Sequence, residues 1–341
     1  MKKGSYIFAL LTLLLAVLFL TDLFFGSVHI PVKHIVQALF SGNSGRDDWN
    51  LIILDFRLPK AITAILAGAA LSVSGLQMQT IFRNPLAGPD ILGISSGASL
   101  GVAFVILGFS TVLGLSAGGT LANWTIVMAA WIGAGAVLLL IFSISIRVND
   151  IMTILILGIL FASVSSAIVS IMQYFSNEVL LKSFFVWSMG SLGNVSGSHL
   201  LVLVPSVCFG LLLSLLTVKM LNLMLLGENY ARSMGLNVTL ARFLIFLSTS
   251  ILAGSITAFC GPIGFIGIAV PHVCRMIFKT SDQKILLFAC ILIGSSVMLI
   301  SDLLSQIPGN GVVVPVNTVT ALLGVPVIVW IIFRNQRVTS V

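Results

Sequence analysis

Apolar runs of about 20 residues alternate along this chain with short polar segments, and a run of that length is what an α-helix needs to cross a bilayer. Ten such runs can be recognised. We therefore predict membrane-spanning helices near residues 5–25, 58–80, 91–110, 123–146, 151–173, 199–221, 240–260, 263–279, 285–304 and 312–333. The expected fold is an all-α polytopic membrane protein, with a single transmembrane domain over residues 1–341.

The composition supports this class. Hydrophobic residues make up 58% of the chain, charged residues only 8%, and the mean hydropathy is +1.16, which excludes an ordinary soluble domain. The four cysteines lie in or beside apolar runs and show no CxxC spacing. We interpret them as reduced packing residues rather than metal ligands or disulfides.

The basic residues predict the orientation. With the N-terminus inside, 12 of the 17 lysines and arginines fall on the cytoplasmic side, as positive-inside asymmetry requires. Four of the other five cluster in or beside one outer segment, residues 26–60. Both termini are thus expected in the cytoplasm. The net charge of +7 reflects topology, and we expect membrane lipid rather than nucleic acid around this chain.

The positions of the acidic residues and the absence of an ATP-binding loop restrict how transport by this chain could be driven. All ten aspartates and glutamates fall at span ends or in loops, whereas an ion-coupled carrier usually needs an ionisable group at mid-membrane. The chain has no GxxxxGK[ST] loop, so any ATP that drives it binds to a separate subunit. A secondary carrier or channel remains the alternative. A membrane enzyme is disfavoured, since no nucleophile, base and orienting group cluster together.

A polar segment interrupts the apolar pattern at "GENYARSMG", residues 227–235. It lies in the largest predicted cytoplasmic loop and is typical of a short helix. Gly227 precedes the helix, Glu228 occupies its first turn, and Gly235 is the expected C-cap. A solvated turn is the alternative interpretation. A small helix at the cytoplasmic mouth is what an importer needs to receive force from a motor subunit.

Four blocks of the sequence resemble the FecCD family, the permease subunits of bacterial ATP-driven importers for ferric siderophores, haem and cobalamin. They are "RLPKAITAILAGAALSVSGLQMQTIFRNPLAGPDILGISSGASLG" (57–101), "LGENYARSMGL" (226–236), "GPIGFIGIAVPHVCR" (261–275) and "VNTVTALLGVPVIVWII" (316–332). The resemblance implies an importer permease fold of the cobalamin/siderophore type with ten helices. It also implies a location in the bacterial inner membrane.

The same resemblance implies partners. The permease pairs with a second copy or a paralogue around one path, docks on cytoplasmic ATPase subunits, and receives cargo from an extracytoplasmic substrate-binding protein. ATP and Mg belong to the ATPase, and no cofactor is expected on this chain. The segment at about 227–237 corresponds to the coupling helix that seats in the ATPase. The positions implied in that contact are Gly227, Glu228, Ala231, Arg232 and Gly235.

On the outer side, the resemblance implies that Arg57 and Lys60 contact acidic residues of the binding protein; snorkelling at the membrane interface is the alternative. Gln306 is the nearest match to a third basic position found in some relatives. On the inner side, the resemblance implies a narrow cytoplasmic gate, with ordinary turns as the alternative. Its positions are Asn84, Leu86, Asn149 and Asp150.

Two further patterns favour structural explanations. Gly93, Gly97 and Gly101 recur every fourth residue, which is typical of close helix packing rather than substrate binding. His272 follows a proline in an apolar run, and no second ligand is spaced to join it in a metal site. We therefore predict no metal site.

Overall fold

The computed structural model describes residues 2–26, 28, 30–41, 45–109, 120–148, 150–307 and 313–336. Within these ranges the chain is helical and contains no β-strand. The helices are α1 (Lys2–Phe24), α2 (Val32–Ser41), α3 (Asp47–Asn50), α4 (Leu58–Ile81), α5 (Ile94–Ala103), α6 (Thr120–Arg147), α7 (Ile151–Tyr174), α8 (Glu178–Ser188), α9 (Gly197–Leu225), α10 (Glu228–Ser233), α11 (Val238–Cys260), α12 (Ile266–Phe278), α13 (Gln283–Ser305) and α14 (Val316–Gln336).

Among the described residues, seven helices are long and apolar enough to cross a membrane. They coincide with seven of the predicted spans. The other three predicted spans correspond to shorter apolar helices: Ile94–Gly108, Ile266–Phe278 and Val316–Trp330. The all-helical membrane fold is confirmed, while the location of both termini in the cytoplasm remains a prediction.

The structure adds elements that the hydropathy pattern did not predict. The amphipathic helix α2 lies in the outer segment, with Ile35 and Ala38 buried and Phe40 exposed. A π-helical stretch, Leu51–Arg57, joins α3 to α4, so this span begins at Asp47, about three turns before the predicted residue 58. A second π-helical stretch, Phe104–Phe109, extends α5.

Helix α12 is shortened because its first residues cannot continue a helix. Gly261 has φ +75° and Phe265 has φ +68°, both in the left-handed region that side chains other than glycine rarely adopt. The backbone N–H of Gly264 donates to Asn317 Oδ1 at 3.0 Å. This polar partner at the start of α14 satisfies a backbone group that the helix leaves unpaired.

Helix α4 lies at the centre of the bundle and contacts α13, α12, α11 and α9. Its glycines permit backbone contact with two neighbours. A Cβ added at Gly75 would lie 1.8 Å from the carbonyl oxygen of Gly267 in α12, and one added at Gly68 would lie 2.2 Å from the carbonyl oxygen of Gly294 in α13. Without side chains between them, these helices pack at a distance that only glycine allows.

The predicted glycine face of α5 is confirmed at two of its three positions. A Cβ at Gly97 would lie 2.6 Å from the carbonyl oxygen of Gly133, and one at Gly101 would lie 2.2 Å from that of Ala129, both in α6. Gly93 is different, because it precedes α5 with φ +75° and ends the 3₁₀ turn Pro89–Leu92. Its positive φ suits glycine, and a Cβ added there would lie 3.2 Å from the carbonyl oxygen of Gly158 in α7.

Candidate functional site

The polar segment at residues 227–235 forms the short helix α10, which connects α9 to α11. Gly227 precedes it with φ +121°, and Gly235 follows it with φ +84°. The N–H of Leu236 donates to the carbonyl of Ala231, and that of Gly235 donates to the carbonyl of Arg232, both at 3.0 Å. This pair of bonds is a Schellman motif, which places Gly235 one residue beyond the C-cap.

Helix α10 has one face inside the protein and one face exposed. Ala231 is completely buried against the chain's own helices. Its small side chain allows α10 to approach the other helices of the chain closely, and its implied contact with an ATPase stays a prediction. The exposed residues are Asn229, Tyr230, Arg232, Ser233 and Met234.

Glu228 is also bound within the chain. Its Oε1 atom accepts from Arg242 Nη2 at 2.6 Å and from Arg242 Nε at 3.2 Å, and the Arg242 side chain is 3% exposed. The Glu228 carboxylate thus neutralises a buried guanidinium of α11, and its contact with an ATPase stays a prediction. Arg232 lies on the exposed face of α10.

The predicted gate loop lies beside this turn. Arg83, with φ +48°, donates from Nη2 to the carbonyl of Met224 near the end of α9 at 2.9 Å. A Cβ on Gly227 would lie 3.3 Å from the same Nη2 atom. Asn84 forms a local turn by accepting from the N–H of Leu86 at 2.9 Å, and the Leu86 side chain is 40% exposed.

Asp150 caps the start of α7. Its carboxylate accepts from the hydroxyl of Thr153 at 2.6 Å, from the N–H of Thr153 at 2.9 Å and from the N–H of Met152 at 3.3 Å. The hydroxyl of Thr153 and then these backbone bonds lower the pKa of Asp150, since they stabilise the charged form. Asp150 thus caps α7. Its place at the cytoplasmic gate stays a prediction. Asn149 lies outside the described residues.

A groove runs between the 3₁₀ turn Pro89–Leu92 and α7. The Ser95 hydroxyl donates to the carboxylate of Asp90 at its edge. The groove combines one carboxylate and two hydroxyls with apolar surface. It is lined by Asp90, Ile91, Ile159, Ala162, Ser163 and Ser166.

Arg57, which is predicted to contact an external binding protein, makes its hydrogen bonds within the chain. Its side chain is buried, with a residue exposure of 7%. Nη1 donates to the carbonyls of Leu23 and Phe24 at 3.0 and 3.2 Å, and Nη2 donates to the carbonyl of Val28. These carbonyls lie at and beyond the end of α1, where a helix leaves acceptors unpaired. Arg57 therefore caps α1.

We expect Arg57→Ala to lower stability by about 1.5–3 kcal/mol, because hydrogen bonds from a charged donor are lost and buried carbonyls remain. Thermal unfolding of the purified chain in detergent measures this. Lys33→Ala is the matched control, since it removes an exposed positive charge from the same outer segment. Unchanged stability of Arg57→Ala with weaker capture of a binding protein would restore the docking interpretation.

Lys60 is paired within the chain as well. Its Nζ lies 2.7 Å from Asp302 Oδ2, with side-chain exposures of 20% for Lys60 and 3% for Asp302. Gln306 Nε2 donates to Asp302 Oδ2 at 2.9 Å and lies 3.5 Å from Asp22 Oδ1. Asp22 is 1% exposed. This outer polar cluster, Asp22, Lys60, Asp302 and Gln306, joins α1, α4 and α13.

We expect Lys60→Met to destabilise the protein by about 3–5 kcal/mol, since removing one partner of a buried pair leaves an uncompensated charge. The double variant Lys60→Met/Asp302→Asn is expected to recover a large part of this loss. A double-mutant cycle on the unfolding midpoints measures the coupling. Additive effects of the two single changes would show that the ion pair contributes nothing to stability.

The sequence is similar to known transport proteins over nearly its whole length. The sequence model of the FecCD transport family matches residues 14–334. The vitamin B12 import system permease protein BtuC of Klebsiella pneumoniae is 34% identical over 330 residues, which cover 96% of this chain and 93% of that protein. The hemin transport system permease protein HmuU of Yersinia pestis is 37% identical over 321 residues, or 90% of this chain and 94% of that protein.

The fold is also similar to a solved structure. That structure is an inward-facing ABC transporter provisionally described as of the metal-chelate type. It superposes with a TM-score of 0.82 at 28% sequence identity, covering 97% of this chain and 99% of the solved one. The similarity therefore extends to nearly all helices of the bundle.

Proposed function

The chain belongs to the FecCD transport family, and we propose that its cargo is a ferric siderophore, haem or a cobalamin-type chelate. It is the multi-pass permease subunit of an ATP-binding-cassette importer in the bacterial inner membrane. The cargo proposal rests on the relatives, of which one imports vitamin B12 and another hemin. We place hydrolysis of ATP, with its Mg, in a separate ATPase subunit.

The observation that carries the mechanism is the geometry of α10. A single-turn helix between two glycines of positive φ presents Asn229, Tyr230, Arg232 and Met234 outward, while its opposite side is fixed to the bundle. An apolar, an aromatic and a charged side chain on one small surface suit a protein partner. We propose that this exposed face binds the ATPase as the coupling helix.

We further propose that the groove beside α7 forms part of the cargo path, with Asn84 and Leu86 near its cytoplasmic end. Its mixed lining suits a bulky chelate that has both polar and apolar surface. The groove is open in the single chain, so a second permease copy or a paralogue would complete the path. An extracytoplasmic substrate-binding protein would supply the cargo at the outer side, where we propose that Arg57 and Lys60 lie close to its docking surface.

Reconstitution of the permease with its ATPase and binding protein in liposomes tests the proposal. Uptake of a ferric siderophore, haemin and cyanocobalamin is measured separately, each with ATP, without ATP and with a non-hydrolysable analogue. We expect one cargo class to enter only when ATP is hydrolysed. Uptake driven by a proton or sodium gradient in the absence of the ATPase would instead identify a secondary carrier.

A further inference from the structure

Two arginines tie the coupling turn, residues 227–235, to the membrane domain near the start of α10. At its start, the carbonyl of Met224 accepts two hydrogen bonds, from the N–H of Gly227 at 3.2 Å and from Arg83 Nη2 at 2.9 Å. Arg83 directly precedes Asn84 in the loop that follows α4. A displacement of Gly227 therefore acts on the Met224 carbonyl, which also accepts a hydrogen bond from Arg83 of the gate loop.

The second tie is the buried ion pair in α10. Two nitrogens of Arg242 donate to one oxygen of Glu228, and the arginine is nearly inaccessible to solvent. Separating such a pair leaves a buried charge unpaired, at a cost of about 3–5 kcal/mol. When α10 moves, the lower-energy response is for Glu228 and Arg242 to move together, so α11 follows.

Helix α11, which carries Arg242, contacts the 3₁₀ turn Pro89–Leu92. This turn forms one wall of the groove through Asp90 and Ile91. Helix α11 thus connects the helix that we assign to the ATPase with a wall of the cargo groove.

We propose that Arg242 and Arg83 are positioning residues that transmit the movement of α10 to the 3₁₀ turn Pro89–Leu92 and to the gate loop. This inference rests on the proposed function, because it assumes that an ATPase displaces α10. Arg242 and Glu228 act as a rigid link between α10 and α11. Arg83 couples the end of α9 to residues 84–86.

The test is a measurement of coupling in liposomes that contain the complete transporter. Uptake and ATP hydrolysis are recorded on the same sample for Arg242→Gln, Glu228→Gln and Arg83→Gln, after the amount of co-purified ATPase has been determined. We expect assembly and hydrolysis to stay within about twofold of wild type while uptake per ATP falls at least about tenfold. Lys284→Gln, an exposed cytoplasmic residue outside both ties, is the matched control.

Exchanging the charges of Glu228 and Arg242 distinguishes a link between α10 and α11 from a pair that only supports folding. In Glu228→Arg/Arg242→Glu the pair is restored with opposite polarity, so uptake per ATP should recover at least threefold over the single variant Arg242→Glu. If uptake, hydrolysis and assembly fall in proportion in the single variants, the residues only support folding and the proposal fails. Uptake per ATP that is unchanged in Arg242→Gln and Arg83→Gln also overturns the proposal. ATP-independent uptake by the wild type would instead refute the proposed function itself.

Discussion

Replacing Arg232 by glutamate is expected to abolish ATP-driven uptake while the membrane domain stays folded. Arg232 is exposed in the last turn of α10 and forms no ion pair within the described residues, so reversing its charge leaves the internal packing intact. If α10 seats in an ATPase, the new carboxylate replaces a favourable contact with a repulsive one. We expect at least a tenfold loss, equivalent to about 1.4 kcal/mol of binding free energy.

Co-purification of the ATPase and cargo-stimulated hydrolysis measure this effect. Lys284→Glu serves as the control, because it reverses an exposed charge on the same predicted side of the membrane. Gly235 is a less selective probe. No atom lies within 4 Å of a Cβ added there, but φ is +84°, so any side chain strains the backbone as well as projecting outward. Full ATPase recruitment by Arg232→Glu would exclude the exposed face of α10 as the docking surface.

Replacing Gly75 by leucine is expected to prevent the bundle from folding. Even a Cβ at this position would lie 1.8 Å from the carbonyl oxygen of Gly267, and the obstacle is backbone rather than a flexible side chain. Helices α4 and α12 must then separate, which also disturbs the contacts of α4 with α13. We expect a loss of more than about 3 kcal/mol, above the usual range for overpacking.

Size-exclusion chromatography and thermal unfolding in detergent measure this loss. Gly135→Ala is the matched control, because Gly135 also lies in a transmembrane helix but has no atom within 4 Å of an added Cβ. It should fold normally and be slightly more stable, since alanine has the higher helix propensity. Normal folding of Gly75→Leu would mean that α4 and α12 do not pack backbone to backbone in the membrane.

The spans were predictable because a hydrocarbon environment imposes a strong compositional signal over many residues. Their ends were less predictable. Hydropathy does not report that Phe265 adopts φ +68°, or that Asn317 binds the backbone next to it, so the late start of α12 was missed. Helix α2 was missed because ten residues with one apolar face do not resemble a span.

The short helix α10 was predictable from local chemistry, since Gly227, Glu228 and Gly235 carry helix-end signals within nine residues. The contacts of the charged side chains within the chain were not predictable. Arg57 and Lys60 stand out in sequence on the side where basic residues are rare, which suggests an external partner. Within the chain they bind other helices, and no local pattern reveals such distant pairs.

The outer polar cluster has a consequence for how the protein is made. Asp22 in α1 is hydrogen-bonded to Gln306, which is 284 positions further along the chain. Asp22 lies two residues before the end of α1, so it can remain in interfacial water while the intervening spans are inserted. Because α1 packs mainly on α13, which is synthesised much later, α1 cannot reach its final position in the bundle until most of the spans have been made.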